Sequence, residues 1–137
     1  MNGMMRSRSI SVSIAVPPAD VYAFASDPAN LPRWASGFCR SVAFVNGQWV
    51  VESPVGRATV RFAAANTFGV LDHFVLLPSG IEIFSPLRVI PNGSGSEVVF
   101  TLFQAPGMSE EQYREDARLV EQDLLTLKRV LEGPTQG

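Results

Sequence analysis

Along 109–131 apolar residues recur at steps of four and three: Tyr113, Ala117, Val120, Leu124, Leu127 and Leu131. That rhythm draws one apolar stripe along an α-helix. Ser109 and Gln112 suit a capping box, Glu110 and Glu111 suit the positive end of the helix dipole, and Lys128 and Arg129 suit the negative end. Gly133 supplies a left-handed cap, and Pro134 cannot continue the helix. Such a helix spans roughly 35 Å, so it needs a wide apolar surface to lie on.

The chain ahead of it predicts that surface. Ile10, Val12, Ile14 and Val16 alternate with Ser9, Ser11, Ser13 and Ala15, the pattern of a half-buried strand over 8–16 that Pro17 and Pro18 end. A short helix over 19–26 turns Val21, Phe24 and Ala25 inward. Asp27 caps a second short helix with Pro28 at its first position, carrying Leu31, Arg33 and Trp34 and ending near Gly37.

Turn chemistry then sets strand register up to Phe103. Asn46-Gly47 predicts a two-residue hairpin that pairs Phe44 with Trp49 and puts both, with Val42 and Val51, on one face. Ser53-Pro54-Val55-Gly56 predicts a turn that pairs Glu52 with Arg57 and Val51 with Ala58, so the charges fall outside and the apolar pair inside, with Val60 and Phe62 continuing that inner face. Pro78-Ser79-Gly80 suits a three-residue loop pairing Leu77 with Ile81. It puts Leu71, His73, Val75, Ile83, Ser85 and Leu87 inside, and Asp72, Phe74, Glu82, Phe84 and Arg88 outside. The glycine-rich run 91–96 reads as one more hairpin, bringing Val98, Phe100 and Leu102 inside and Glu97 onto the face of Arg88.

These elements predict an α+β fold: a curved antiparallel sheet of about seven strands gripping a long C-terminal α-helix, with two short helices after the first strand. The two short helices prop one end of the sandwich open, which is the origin of a cavity. At 137 residues the expectation is one domain over 1–137. Hydrophobic residues at 46% are enough for a core, and a net charge of −2 without a basic run disfavours nucleic acid. No apolar run reaches membrane-spanning length, and the first residues lack the apolar segment of a signal peptide. A single cysteine, Cys39, excludes an internal disulfide and fits the cytoplasm, and one His with one Cys gives no structural zinc site; no cofactor is expected.

The segments ISVSIAVPPADVYAFASDPANLPRW, FGVLDHFV, PLRVIPNG and GSEVVFTLF, followed by the terminal helix, resemble the START/Bet v 1-like (SRPBCC, helix-grip) superfamily and within it the bacterial polyketide cyclase/dehydrase-like group. The resemblance covers nearly the whole chain. It implies a cavity for lipids, sterols, polyketides, quinones or hormones, and enzymatic activity in a minority of members. The Rieske oxygenase members use a His pair and a carboxylate on a metal that this chain cannot supply.

The residue lining such a cavity would be Trp34, Trp49, Phe62, Leu71, His73, Ser85, Phe100, Tyr113, Val120 and Leu124. His73 is the one residue that titrates near neutrality, so it is either a polar anchor or general acid/base, or a core histidine bonded to a single partner. Trp34, at the family's cavity mouth, and Trp49 are flat surfaces for stacking or for core packing. Tyr113 needs a hydroxyl partner, and Cys39 reads as a small hydrophobe. Asp72, Arg88 and Glu97 read as an outer-face charged cluster, or as cavity groups if the register slips by one. Phe74 and Phe84, with Leu76, Val99 and Phe103, give an apolar outer face suited to a homodimer. Three functions compete: carriage of a small hydrophobic (lipid-, polyketide- or aromatic-like) ligand, a polyketide cyclase or dehydratase using His73, and a protein-interaction module.

Overall fold

Strand β1 (Ser7–Ile14) pairs antiparallel with the last strand, β8 (Gly95–Phe103), with Ile10 opposite Phe100 and Val12 opposite Val98. Its inward alternation is as read: Ile10 and Ile14 are buried while the serines between them face out. The computed structural model describes residues 3–133.

The middle of the chain is a meander of hairpins: β2 (Ser41–Val45), β3 (Gln48–Ser53), β4 (Gly56–Phe62), β5 (His73–Leu76), β6 (Glu82–Ser85) and β7 (Leu87–Asn92). Asn46 and Gly47 both adopt positive φ, so the first turn has the twist that matches its strands, and Phe44 stands opposite Trp49. Glu52 stands opposite Arg57, whose Nε donates to the carboxylate at 3.0 Å. The Leu77 N–H donates to the Ile81 carbonyl at 2.9 Å across a three-residue loop whose Gly80 is left-handed.

Among the described residues eight strands are present where about seven are expected, because Pro86 interrupts one of them. Proline has no N–H to continue the ladder. The strand bends there, so β6 pairs with β5 and β7 pairs with β8, and the sheet is divided into a three-stranded part (β1-β8-β7) and a five-stranded part (β2-β3-β4-β5-β6). The two parts stay stitched through the Leu71 N–H to the Leu87 carbonyl and the Val89 N–H to the Gly69 carbonyl. Gly69 has φ +72°, and a Cβ there would collide with the Val89 carbonyl, so this crossing point needs glycine.

Helix α1 (Pro18–Ala25) buries Val21 and Ala25. Asp27 caps a 3-10 turn, Pro28–Asn30, through a 3.0 Å bond from the Ala29 N–H, and that turn leads into α2 (Leu31–Trp34). The long helix α3 (Glu110–Glu132) buries Tyr113, Ala117, Leu124 and Leu127, four of the six residues of its stripe, with Val120 and Leu131 half-buried. Full burial of Leu124 and Leu127 contributes about 2 kcal/mol each. The capping box is half formed: Ser109 Oγ accepts from the Gln112 N–H at 3.0 Å, but the Gln112 side chain donates to Asp116 at 2.7 Å. Pro134, expected to stop the helix, lies outside the described residues.

The charged cluster on the outer face is smaller than expected. Asp72 accepts two bonds from Arg88, at 2.8 and 2.7 Å, and a third from the Leu87 N–H at 2.9 Å. Glu97 shares their face but accepts instead from Ser13 and Asn92. The strands keep their register, so neither Asp72 nor Arg88 faces inward. Elsewhere on that face Phe74 and Phe84 stack at 4.9 Å, and the Arg61 guanidinium roofs Phe74 at 4.8 Å.

Candidate ligand-binding site

Helix α3 rests its length on β1 and β8 and meets α2. The five-stranded part of the sheet, on the far side of Pro86, faces the flank of the helix across a gap. The space between is a cavity of about 400 Å³, within the range that holds a drug-sized molecule. The sheet contributes Val60, Phe62, His73, Val75, Ile83, Ser85, Phe100 and Leu102. Helix α3 contributes Gln112, Asp116, Leu119, Val120, Asp123 and Leu124. Leu31, Trp34, Ala35, Gly37 and Phe38 close one side, and the β3–β4 turn brings Ser53, Pro54 and Val55 to another. Leu77 and Met108 complete a wall that is mostly apolar.

His73 is the central polar group of the sheet side. Its Nδ1 lies 3.0 Å from the Leu71 carbonyl oxygen. A carbonyl only accepts, so Nδ1 carries the proton and Nε2 is left as an acceptor. Burial lowers the His73 pKa, against smaller upward pulls from the Leu71 bond and from Asp72, so the ring is neutral at physiological pH. Its ring packs against Phe62 at 4.9 Å and Phe100 at 6.3 Å. Ser85, buried, stands directly opposite it on β6.

The helix side carries two carboxylates. Burial pushes Asp123 up to about 6, although the Gly37 N–H, donating at 3.2 Å, pulls the other way. Burial also raises Asp116; the bond from Gln112 opposes this, and the neighbouring Glu115 charge adds to it. Trp34 Nε1 is buried without a hydrogen-bond partner among the described residues. Cys39 is fully buried, and burial pushes its thiol up to about 11, which makes it unreactive.

Of the residues expected at the site, Trp34, Phe62, His73, Ser85, Phe100, Val120 and Leu124 stand on one wall-lined space. Trp49, Leu71 and Tyr113 stand outside it. Trp49, half-buried, packs on Phe44 at 5.0 Å near the tip of the β2–β3 hairpin, where Phe44 is 60% exposed. Leu71 is sealed in the core at the strand crossing, 1% exposed. The Tyr113 hydroxyl donates to the Leu102 carbonyl at 3.2 Å and its ring lies beneath Arg6, so the sheet, not the cavity, satisfies it. Gln112, Asp116, Leu119 and Asp123 were not anticipated. Their spacing is the signal: they repeat the stripe's four-three-four rhythm one position earlier, so they form its flank.

Among the described residues no group of His, Cys, Asp and Glu is gathered to hold a metal, and no helix is long and apolar enough to cross a membrane. A family model described as polyketide cyclase / dehydrase and lipid transport matches residues 5–132. The chain belongs to this family. Its helix-grip architecture is that of the START/Bet v 1-like superfamily. The solved structure of XoxI from Bacillus cereus superposes with a TM-score of 0.74 at 18% identity, covering 95% of this chain and 100% of that one. Ara h 8.0201 superposes with a TM-score of 0.72 at 14% identity, covering 95% and 100%. The di-domain ARO/CYC BexL from the BE-7585A biosynthetic pathway gives a TM-score of 0.70 at 19% identity, covering 93% of this chain and 47% of BexL. At these identities the likeness establishes the fold. No curated protein matches the sequence.

Proposed function

We propose that this member of the polyketide cyclase / dehydrase and lipid transport family binds and carries a small hydrophobic molecule in the space between α3 and the five-stranded part of the sheet. The observation that supports this reading is the cavity of about 400 Å³ itself, its wall mostly apolar, with polar side chains such as His73, Ser85, Asp116 and Asp123 set into it. A fold stabilised by burial alone would fill such a space, because interiors are normally packed as densely as organic crystals. The test uses N-phenyl-1-naphthylamine, an uncharged probe that fluoresces in apolar surroundings. Val120 lies half-buried on the wall, so Val120→Trp places an indole in the cavity. The wild type is expected to bind the probe and the folded variant to lose it. A variant that binds as well as the wild type would overturn the reading.

One observation supports an acid/base enzyme as the second reading: His73 presents an unprotonated Nε2 on the cavity wall. Turnover by His73→Ala at the unmodified rate would exclude that role. Pairing of two copies through Phe74 and Phe84 belongs to the same proposal, since Phe84 is 42% exposed. A strict monomer in sedimentation over a concentration series would exclude it. We place the protein in the cytoplasm on the strength of its lone cysteine, a point that cell fractionation checks.

A further inference from the structure

The chemistry of the wall restricts what the cavity can hold, and this restriction rests on the carrier reading given above. None of the side chains lining it, among the described residues, is Lys or Arg. The cations directly beside lining residues in sequence are turned to other groups: Arg33 lies over Phe24, Arg61 over Phe74 and Arg118 on Glu115. The charged groups that do reach the wall are Asp116 and Asp123, both carboxylates on α3. An anionic ligand would therefore be desolvated beside like charge without a cationic partner, a costly arrangement for a buried ion.

On the opposite wall His73 offers only an acceptor. The Leu71 carbonyl holds its Nδ1 proton at 3.0 Å, and Nε2 has no partner within the described chain. Phe62 and Phe100 flank that ring with apolar faces. A group that satisfies Nε2 must donate a hydrogen bond, and a group that fits between the phenylalanines must be apolar or aromatic.

We propose that the cavity selects an uncharged, apolar molecule bearing a hydroxyl group, which donates to His73 Nε2, and that it rejects the corresponding carboxylic acid anions. The guest class is thus hydroxylated aromatic or alicyclic compounds and fatty alcohols, not fatty acids. A ligand hydroxyl exchanges a bond to water for the bond to His73, so the preference it adds is modest. Exclusion of the anion is the larger effect.

The test compares three molecules of one shape, 1-naphthol, naphthalene and 1-naphthoate, as competitors of bound N-phenyl-1-naphthylamine at pH 7.5. Naphthol is expected to compete about fivefold better than naphthalene. Naphthoate is expected to compete at least ~100-fold worse than naphthol. In His73→Leu the advantage of naphthol over naphthalene should vanish while naphthalene still competes. Naphthoate matching naphthol in the wild type, or an undiminished naphthol advantage in His73→Leu, would overturn the proposal and leave the carrier reading standing. Failure of all three to displace a probe that does bind would also overturn it. A wild type that binds no probe at all would remove the carrier reading and this inference together. The wild-type comparison alone decides the anion exclusion should His73→Leu fail to fold.

Discussion

Replacing Asp123 by Asn should make the protein more stable, and more so as pH rises. The carboxylate is largely withdrawn from water on α3, accepts one bond from the Gly37 N–H at 3.2 Å and, among the described residues, has no Lys or Arg beside it on the cavity wall. Burial carries its pKa from 3.8 to about 6. The sign follows from proton linkage. Below 3.8 the carboxyl is protonated in both folded and unfolded chains and contributes nothing. Above about 6 it is ionised in both, and the folded state bears the whole penalty of burying the charge. Wild-type stability therefore falls, through this group, as pH climbs from about 4 to 6. The full displacement corresponds to about 3 kcal/mol, and since part of the carboxylate still meets solvent, about 1.5 kcal/mol is the figure to expect. Asn keeps Oδ1 as acceptor for Gly37 and deletes the charge. Urea unfolding should show Asp123→Asn stabilised by about 1.5 kcal/mol at pH 7.5, shrinking to about 0.5 kcal/mol at pH 4.5. A variant destabilised at pH 7.5, or shifted equally at both pH values, would refute the reasoning. Retaining an ionisable group at such a cost is what a binding surface, rather than a packed core, would show.

The outer-face pair behaves in the opposite sense. Asp72 is held below the usual carboxylate range by its bonds from Arg88, assisted by the Leu87 N–H, so its contribution is present at neutral pH and lost as pH falls through its lowered pKa. Asp72→Ala should cost about 2 kcal/mol at pH 7 by stripping the Leu87 N–H and the guanidinium of their acceptor, and urea titrations at pH 7 and in acid should show the difference narrowing; an unchanged midpoint at pH 7 would contradict this. Gly69→Ala combines an unfavourable φ with a collision against the Val89 carbonyl. It should lower stability by more than ~2 kcal/mol in thermal or urea unfolding, and a neutral effect would show that the two sheet parts can separate there freely.

Much of the architecture was legible because its turns name their own register. Asn46-Gly47, Pro54 followed by Gly56, and Gly80 after Pro78 each dictate a loop length, and loop length fixes which residues face each other. The placing of Trp49 shows where that reasoning stops. Alternation assigns a residue to a face, but not how far the opposing helix extends over it, and the tip of the β2–β3 hairpin carries its inner face into solvent. The consequence of Pro86 was equally hidden. One missing N–H turns a continuous strand into two, and the resulting bend separates the half of the sheet that α3 packs on from the half that stands away. Asp116 and Asp123 lie off the apolar stripe, so periodicity alone does not point to them. The adjoining row, Gln112, Asp116, Leu119 and Asp123, carries the helix side of the cavity. His73 was legible from alternation, but its tautomer depends on the Leu71 carbonyl two residues away, which only the folded backbone brings to Nδ1.

The most direct test of the account is a crystal structure of the protein soaked with N-phenyl-1-naphthylamine. The account predicts the probe between α3 and the five-stranded part of the sheet, its rings in van der Waals contact with Phe62, Phe100 and Val120. A probe on the outer face beside Phe84, or an interior in which those side chains meet and leave no space, would contradict it.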